Sequence, residues 1–96
     1  MKPSIALQKY RQVMREMLLN YKVTNLRVFG SVLEKRDLDG SDLDLLVDPL
    51  PGATLFDLGG LQAELEETLG VPVDLLTPGD LPMSFRQHVL AQAQPI

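Results

Sequence analysis

Three aspartates, Asp42, Asp44 and Asp74, have the residue type and spacing that metal-assisted chemistry at phosphorus requires. Asp42 and Asp44 flank one leucine, and side chains two positions apart in a strand project from the same face, about 7 Å apart. Two ionised carboxylates on one face repel each other, and burying them is unfavourable unless a cation lies between them. Because Mg²⁺ prefers oxygen ligands, completed by water and substrate phosphates, the pair indicates a magnesium site.

Asp74 lies in a second apolar segment, between Val73 and Leu75. If the two segments form neighbouring strands, the three carboxylates can hold two metal ions about 4 Å apart, which suits in-line displacement at phosphorus. A structural interpretation stays open from these residues alone. Asp42 could cap a turn, and Asp74 could be an edge-strand charge that discourages aggregation.

Gly30 and Ser31 end an apolar run and precede Asp42 by ten intervening residues. Glycine allows the backbone to approach a ligand closely. A serine that opens a short helix offers N–H groups and a hydroxyl to an anion. We therefore predict that a triphosphate binds at Gly30 and Ser31, with its metal-bound oxygens near the carboxylates.

These residues need a scaffold, and the hydrophobic periodicity predicts one. We predict a helix over residues 4–20, a strand over 23–29, one helical turn over 31–35 and a strand over 42–48. A helix over 55–69, capped by Thr54 and ended by Gly70, a strand over 71–77 and a helix over 82–93 follow. The first helix has an apolar stripe and the last an inward face, formed by Tyr10, Val13, Met14, Met17 and Leu18, and by Phe85, Val89, Leu90 and Ala93.

The predicted order is α-β-α-β-α-β-α, which is an α+β fold with a small β-sheet covered by helices. Its length of 96 residues allows one domain, residues 1–96. Within it we distinguish an N-terminal helix (1–20), a sheet region (23–77) that carries the site, and a C-terminal helix (82–93).

Composition excludes several classes of protein. The chain has no cysteine, so disulfides, thiolate metal sites and a cysteine nucleophile are excluded. No apolar run is long enough for a signal peptide or a membrane span, so we expect a soluble cytoplasmic protein without a membrane partner. The net charge is −4, and five aspartates fall within residues 37–48. Direct nucleic-acid binding is not expected, because it normally needs a basic face.

The motif residues resemble a known family. Residues 28–31 (Val-Phe-Gly-Ser), the ten-residue spacer and residues 41–47 (Ser-Asp-Leu-Asp-Leu-Leu-Val) are similar to the signature of the minimal nucleotidyltransferases, members of the DNA polymerase β-like superfamily. Residues 65–76 resemble the family's third-carboxylate strand, and residues 86–93 its closing helix. The resemblance implies a small mixed sheet flanked by helices, in the polymerase β-like nucleotidyltransferase fold.

The resemblance also implies roles for residues. Gly30 and Ser31 would hold the β- and γ-phosphates of ATP, and Ser41 belongs to the same signature. Asp42 and Asp44 would ligate one or two Mg²⁺ ions, and Asp74 would complete the metal site and help to deprotonate an acceptor hydroxyl. Such relatives are commonly antitoxins, encoded beside a HEPN-domain ribonuclease toxin. Some of them silence that toxin by transferring AMP to one of its tyrosines. The resemblance thus implies a protein adenylyltransferase with ATP and a HEPN toxin as partners, as a homo- or hetero-oligomer.

One pair of residues departs from the family pattern. Many relatives place arginine and then glycine at the third and fourth positions after the serine, where this chain has Glu34 and Lys35. An acid near a triphosphate is unfavourable unless it points away, and Lys35 or Arg36 could supply the missing positive charge as nucleotide-binding residues. Two alternatives stay open: an antitoxin that acts by binding its toxin without catalysis, and a small-molecule nucleotidyltransferase.

Overall fold

The structure is a computed structural model that describes residues 1–96. Four helices and four strands alternate along the chain, with the order α1 (Pro3–Met17), β1 (Val23–Phe29), α2 (Gly30–Leu33), β2 (Leu43–Pro49), α3 (Leu55–Leu69), β3 (Val73–Leu76), α4 (Met83–Gln92) and β4 (Gln94–Pro95). The predicted α+β class and element order are confirmed, apart from the added β4. None of the helices combines the length and apolar character needed to cross a bilayer.

The strands form one mixed sheet in the order β3-β2-β1-β4. β1 runs antiparallel to β2 and brings Phe29 opposite Asp44, while β2 and β3 are parallel and place Asp44 opposite Asp74. β4 pairs antiparallel with β1. The register therefore brings the end of β1 and the starts of β2 and β3 to the same edge of the sheet.

The hydrophobic core lies on one face of this sheet. Alternate residues of β2, namely Leu43, Leu45 and Val47, are fully buried on that face. They belong to one cluster with side chains of α1, α3 and the neighbouring strands: Ala6, Leu7, Met14, Met17, Val23, Leu26, Val28, Leu61, Leu65, Leu69, Val73 and Leu75. Because strand side chains alternate, the remaining residues of β2, including Asp44, project from the opposite face.

The boundaries of β1 and α3 agree with the sequence prediction. β1 covers Val23–Phe29 and α3 covers Leu55–Leu69. Thr54 caps α3: its hydroxyl accepts a hydrogen bond from the Phe56 N–H at 3.2 Å, and the Thr54 N–H donates to the Asp57 carboxylate at 2.9 Å. Gly70 ends the helix with φ 72°, in the left-handed region that glycine enters without penalty.

The first helix is shorter than predicted, and its apolar stripe is shifted. The α-helix ends at Met17, and residues 18–20 form a 3₁₀ turn. Val13 is 43% exposed, whereas Ala6 and Leu7 are buried. The cause is Tyr10, whose non-helical φ of −109° and ψ of 16° kink the helix and rotate its two halves relative to each other.

The third strand is also shorter than predicted. It covers Val73–Leu76 rather than residues 71–77. Pro72 has no N–H to donate to a neighbouring strand. Thr77 instead forms a capping box with Asp80, in which the Thr77 N–H and hydroxyl both donate to the Asp80 carboxylate at 2.9 Å.

The prediction that the last helix buries an inward face is wrong. α4 buries none of its residues; Phe85 is 46% exposed and Leu90 is 36% exposed. α4 packs closely against no other element, so its apolar residues stay at the surface. β4, which the sequence did not predict, follows α4 and pairs with Arg27 and Val28.

Candidate active site

The three predicted carboxylates meet at one edge of the sheet. Asp44 and Asp74 are direct partners in adjacent parallel strands, so both side chains project from the same face about 5 Å apart at their Cα atoms. Asp42 precedes β2 and lies two residues before Asp44, which places it on that face as well. The structure therefore brings together residues that are 32 positions apart in the sequence.

The surroundings of Asp44 disfavour its ionised form. Its side chain is partly buried, while Asp42 and Asp74 are exposed. Burial, followed by the negative charges of Asp74 and Asp42, raises the pKa of Asp44 to about 6. The site thus concentrates negative charge that the protein itself does not neutralise.

The other acidic residues of the 37–48 segment have structural partners. Asp37 is buried and accepts a hydrogen bond from the Ser4 backbone N–H at 2.8 Å, which lowers the pKa of Asp37 and holds the start of α1. Asp48 binds the Arg27 guanidinium at 2.6 Å. Asp39 lies 3.5 Å from the N-terminal amine. The remaining two carboxylates of this segment have no cation partner, and these are the two that join Asp74.

The donor chemistry of this cluster fits Mg²⁺. All three groups are carboxylates, which are hard oxygen ligands, and none of the chain's ion pairs involves them. In the conformation described, no group of three or more such side chains is already arranged to hold a metal ion. Two of the three side chains are exposed and free to adjust. Mg²⁺ commonly uses only one or two protein carboxylates, with the rest of its shell from water and substrate phosphates.

Gly30 is in direct contact with Asp44. Gly30 has φ 74°, and a Cβ added to it would overlap the Asp44 carboxylate, with the Cγ at 3.0 Å and the Asp44 Cβ at 3.2 Å. The absence of a side chain therefore has two consequences: it permits the sharp turn from β1 into α2, and it leaves space for Asp44.

α2 follows directly from this turn and covers Gly30–Leu33, slightly earlier than the predicted 31–35. No side chain caps its first turn, so its leading N–H groups have no side-chain acceptor. Ser31 is the second residue of α2, next to the contact between Gly30 and Asp44. This is the position that the sequence predicted for phosphate binding.

The other predicted nucleotide-binding residues are more dispersed. Arg36 forms an ion pair with Glu34, which neutralises the acid at the position where relatives have arginine. Lys35 lines a cavity on the α1 side of α2, not the one beside Gly30. Ser41 accepts a hydrogen bond from the Leu38 N–H at 2.9 Å, which stabilises the loop that leads to Asp42.

A cavity of about 540 Å³ opens beside Gly30. Its walls come from the end of β1, from α2 and from α4, and they include Phe29, Gly30, Leu33, Glu34, His88, Val89, Gln92 and Gln94. The sequence pattern predicts no role in the site for His88, Gln92 or Gln94. No spacing in the sequence relates α4 to Gly30, because the return of α4 along the sheet depends on the tertiary fold.

We expect Asp44→Asn to stabilise the metal-free protein near neutral pH. A carboxyl group with a raised folded-state pKa favours folding when protonated, and this contribution is lost as pH rises from about 4 through about 6. The melting temperature of the variant should therefore exceed that of the wild type at about pH 7.5 and approach it at about pH 4. Thermal unfolding in EDTA at both pH values tests this, with Glu67→Gln, an exposed carboxylate on α3, as control. If the melting temperature of the variant exceeds that of the wild type by the same amount at both pH values, ionisation of Asp44 does not destabilise the fold.

The sequence is similar to those of known proteins. A family model described as a nucleotidyltransferase domain matches residues 7–94. A protein of Methanocaldococcus jannaschii, provisionally named a protein adenylyltransferase, is 36% identical over 77 residues, which cover 80% of this chain and 83% of that protein.

Solved structures have the same fold. A protein provisionally described as a minimal nucleotidyltransferase superposes with a TM-score of 0.86 at 35% identity, covering 97% of this chain and 95% of the other. A toxin–antitoxin structure with AMP-PNP superposes with a TM-score of 0.69 at 22% identity, covering 83% of this chain and 66% of the other. At that identity the second likeness shows the fold alone.

Proposed function

The chain belongs to the nucleotidyltransferase domain family, and from this membership we propose that it transfers AMP from Mg-ATP to a hydroxyl group of a partner protein. The observation that carries the proposal is the register of β2 and β3. It places Asp44 opposite Asp74, on the same face as Asp42 and next to Gly30. Three unpaired carboxylates beside a glycine turn are suited to a metal-bound triphosphate.

Asp42 and Asp44 would hold the magnesium, which when bound offsets the negative charge of the triphosphate and polarises its α-phosphate. Asp74 would accept the proton of the acceptor hydroxyl. The acceptor oxygen forms a bond to the α-phosphorus, the bond to the oxygen that bridges the α- and β-phosphates breaks, and pyrophosphate leaves. Burial, followed by the charges of Asp74 and Asp42, raises the pKa of Asp44, and a bound cation would stabilise its ionised form.

Gly30 and Ser31 would bind the β- and γ-phosphates through the uncapped N–H groups at the start of α2 and the Ser31 hydroxyl. Lys35, Arg36 and Ser41 lie in the loop that connects α2 to Asp42. Arg36, released from Glu34, would be the cation for the triphosphate, because Lys35 lines a different cavity. The choice of an adenine nucleotide is supported by the adenylyltransferase name of the Methanocaldococcus relative and by the AMP-PNP of the structural neighbour.

A protein acceptor is supported by the name of the same relative, and a toxin as acceptor by the toxin–antitoxin neighbour. We therefore propose that the partner is a toxin, of the HEPN class that the resemblance implies. A second candidate is an antitoxin that masks its partner without catalysis. It is favoured by Glu34: an acid, paired with Arg36, stands at the position where the resemblance implies an arginine.

We expect ATP to bind much more tightly with Mg²⁺ than without it, because the substrate phosphates and the carboxylates complete one coordination shell. Isothermal titration calorimetry with ATP, in Mg²⁺ or in EDTA, measures this for the wild type and for Asp42→Asn. The variant should lose most of the magnesium-dependent gain in affinity. Equal ATP affinity in Mg²⁺ and in EDTA, or an unchanged gain in Asp42→Asn, would contradict the proposed site.

A further inference from the structure

A second cavity adjoins the one beside Gly30 and shares Leu33 and Gln94 with it. It has a volume of about 480 Å³ and lies between α1, α2 and β4. Its polar lining residues are Ser4, Gln8, Arg11, Lys35 and Gln94, and no aspartate or glutamate lines it. We call it the α1–α2 cavity. Its apolar floor is formed by core residues such as Val28 and Val32, so the polar groups stand at its rim and walls.

The two cations of this cavity have no acidic partner. None of the chain's ion pairs involves Arg11 or Lys35. Other arginines are engaged: Arg27 binds Asp48, and Arg15 donates to the backbone carbonyl of Ile96 at 2.8 Å. In a chain with a net charge of −4, two unpaired cations in one acid-free cavity are a distinctive arrangement.

The surrounding charge distribution points the same way. Residues 1–36 contain eight of the nine lysines and arginines but two of the thirteen acidic residues, so that segment has a formal charge of +6. Residues 37–96 have a formal charge of −10. α1 and α2 belong to the positive segment, whereas the carboxylates of the active site belong to the negative one. An acidic ligand would be attracted to the α1–α2 side and repelled from the active-site carboxylates.

The backbone of Lys35 is unusual for a residue with a side chain. Lys35 has φ 60°, in the left-handed region, and its N–H donates to the Val32 carbonyl at 3.2 Å as α2 ends. Glycine would adopt this conformation without strain. A lysine held there instead places a cation at the α1–α2 cavity and not at the cavity beside Gly30.

We propose that the α1–α2 cavity binds an acidic segment of the protein that accepts AMP. This inference rests on the proposed function, since it assigns a docking role for a protein acceptor. Charge complementarity selects the occupant: two cations and three neutral polar side chains match one or two carboxylates. A nucleic acid would need a longer cationic stripe to follow its phosphates. Docking here would hold the partner beside α2 while leaving the Gly30 cavity free for nucleotide.

The test uses a fluorescein-labelled hexaglutamate peptide, with binding followed by fluorescence anisotropy at low ionic strength. The wild type should bind it more tightly than a neutral glycine–serine peptide of equal length. Arg11→Glu and Lys35→Glu should each weaken binding by about fivefold or more. Lys9→Glu is the matched control, because Lys9 is exposed on the same helix, above the Tyr10 ring and outside the cavity.

Lys35→Gly separates charge from folding, since glycine removes the cation and suits the left-handed backbone. It should retain the wild-type melting temperature or exceed it, yet bind the peptide as weakly as Lys35→Glu. Equal weakening by Lys9→Glu, or wild-type binding by Lys35→Gly, would overturn the proposal. Tighter binding of a hexauridylate of the same length would also overturn it, in favour of a nucleic-acid site. Because the assay contains no nucleotide, Asp44→Asn should bind the peptide normally, so failure of docking and failure of the ATP site are distinguishable.

Discussion

Asp74→Asn should lower AMP transfer by about 10²-fold or more, while Mg-ATP and the partner protein still bind. Asp42 and Asp44 can hold a nucleotide-bound metal without Asp74, so binding should survive. Transfer also requires that the acceptor hydroxyl loses its proton, and Asp74 is the exposed carboxylate opposite Asp44 that can accept it. Asparagine keeps the size of the side chain and removes its charge and most of its basicity.

The measurement is the initial rate of AMP incorporation into the partner protein, next to calorimetric ATP affinity for the same preparations. Glu67→Gln again serves as control, because it removes an exposed carboxylate remote from the motif residues. If Asp74→Asn transfers AMP at the wild-type rate, Asp74 is structural and the three-carboxylate mechanism is wrong.

Gly30→Val should abolish detectable nucleotide binding and also destabilise the fold. A β-branched residue at φ 74° is strained, by about 1–2 kcal/mol or more. In addition, its Cβ would displace the Asp44 carboxylate from the position it occupies. The variant therefore damages both the phosphate cradle and the metal site.

Gly70→Val separates these two effects. Gly70 has nearly the same backbone, with φ 72°, but an added Cβ there would meet no atom within 4 Å. Both valine variants should lower the melting temperature, and only Gly30→Val should lose ATP affinity in calorimetry. Normal ATP binding by a folded Gly30→Val protein would refute the cradle at Gly30.

Most of the carboxylate cluster could be predicted because two of its three residues are close together in the sequence. Strand alternation places Asp42 and Asp44 on one face, and only the adjacency of β3 to β2 had to be supplied by the fold. The left-handed turn at Gly30 also follows from its residue type and position after a strand. The contact between Gly30 and Asp44 could not be inferred, because it depends on the antiparallel pairing that sets Phe29 opposite Asp44.

The exposure of α4 could not be predicted from the sequence. Its apolar residues predict an inward face, but Phe85 and Leu90 remain substantially exposed because α4 packs closely against no other element. A hydrophobic pattern tells which residues favour burial but not whether a second surface is available to bury them. For the same reason, the sequence does not predict which residues of α4 line the Gly30 cavity. Nor does it predict that two cations line the α1–α2 cavity.

Mass spectrometry of the partner protein after co-expression shows whether this site transfers AMP to it. With the wild-type chain, the co-purified partner should gain the mass of AMP on a hydroxyl side chain. With the Asp42→Asn, Asp44→Asn double variant, the complex should still form, and the partner should remain unmodified and toxic. A partner that carries no AMP, yet is neutralised equally by the wild type and the double variant, would show that the chain is a binding antitoxin and not an AMP transferase.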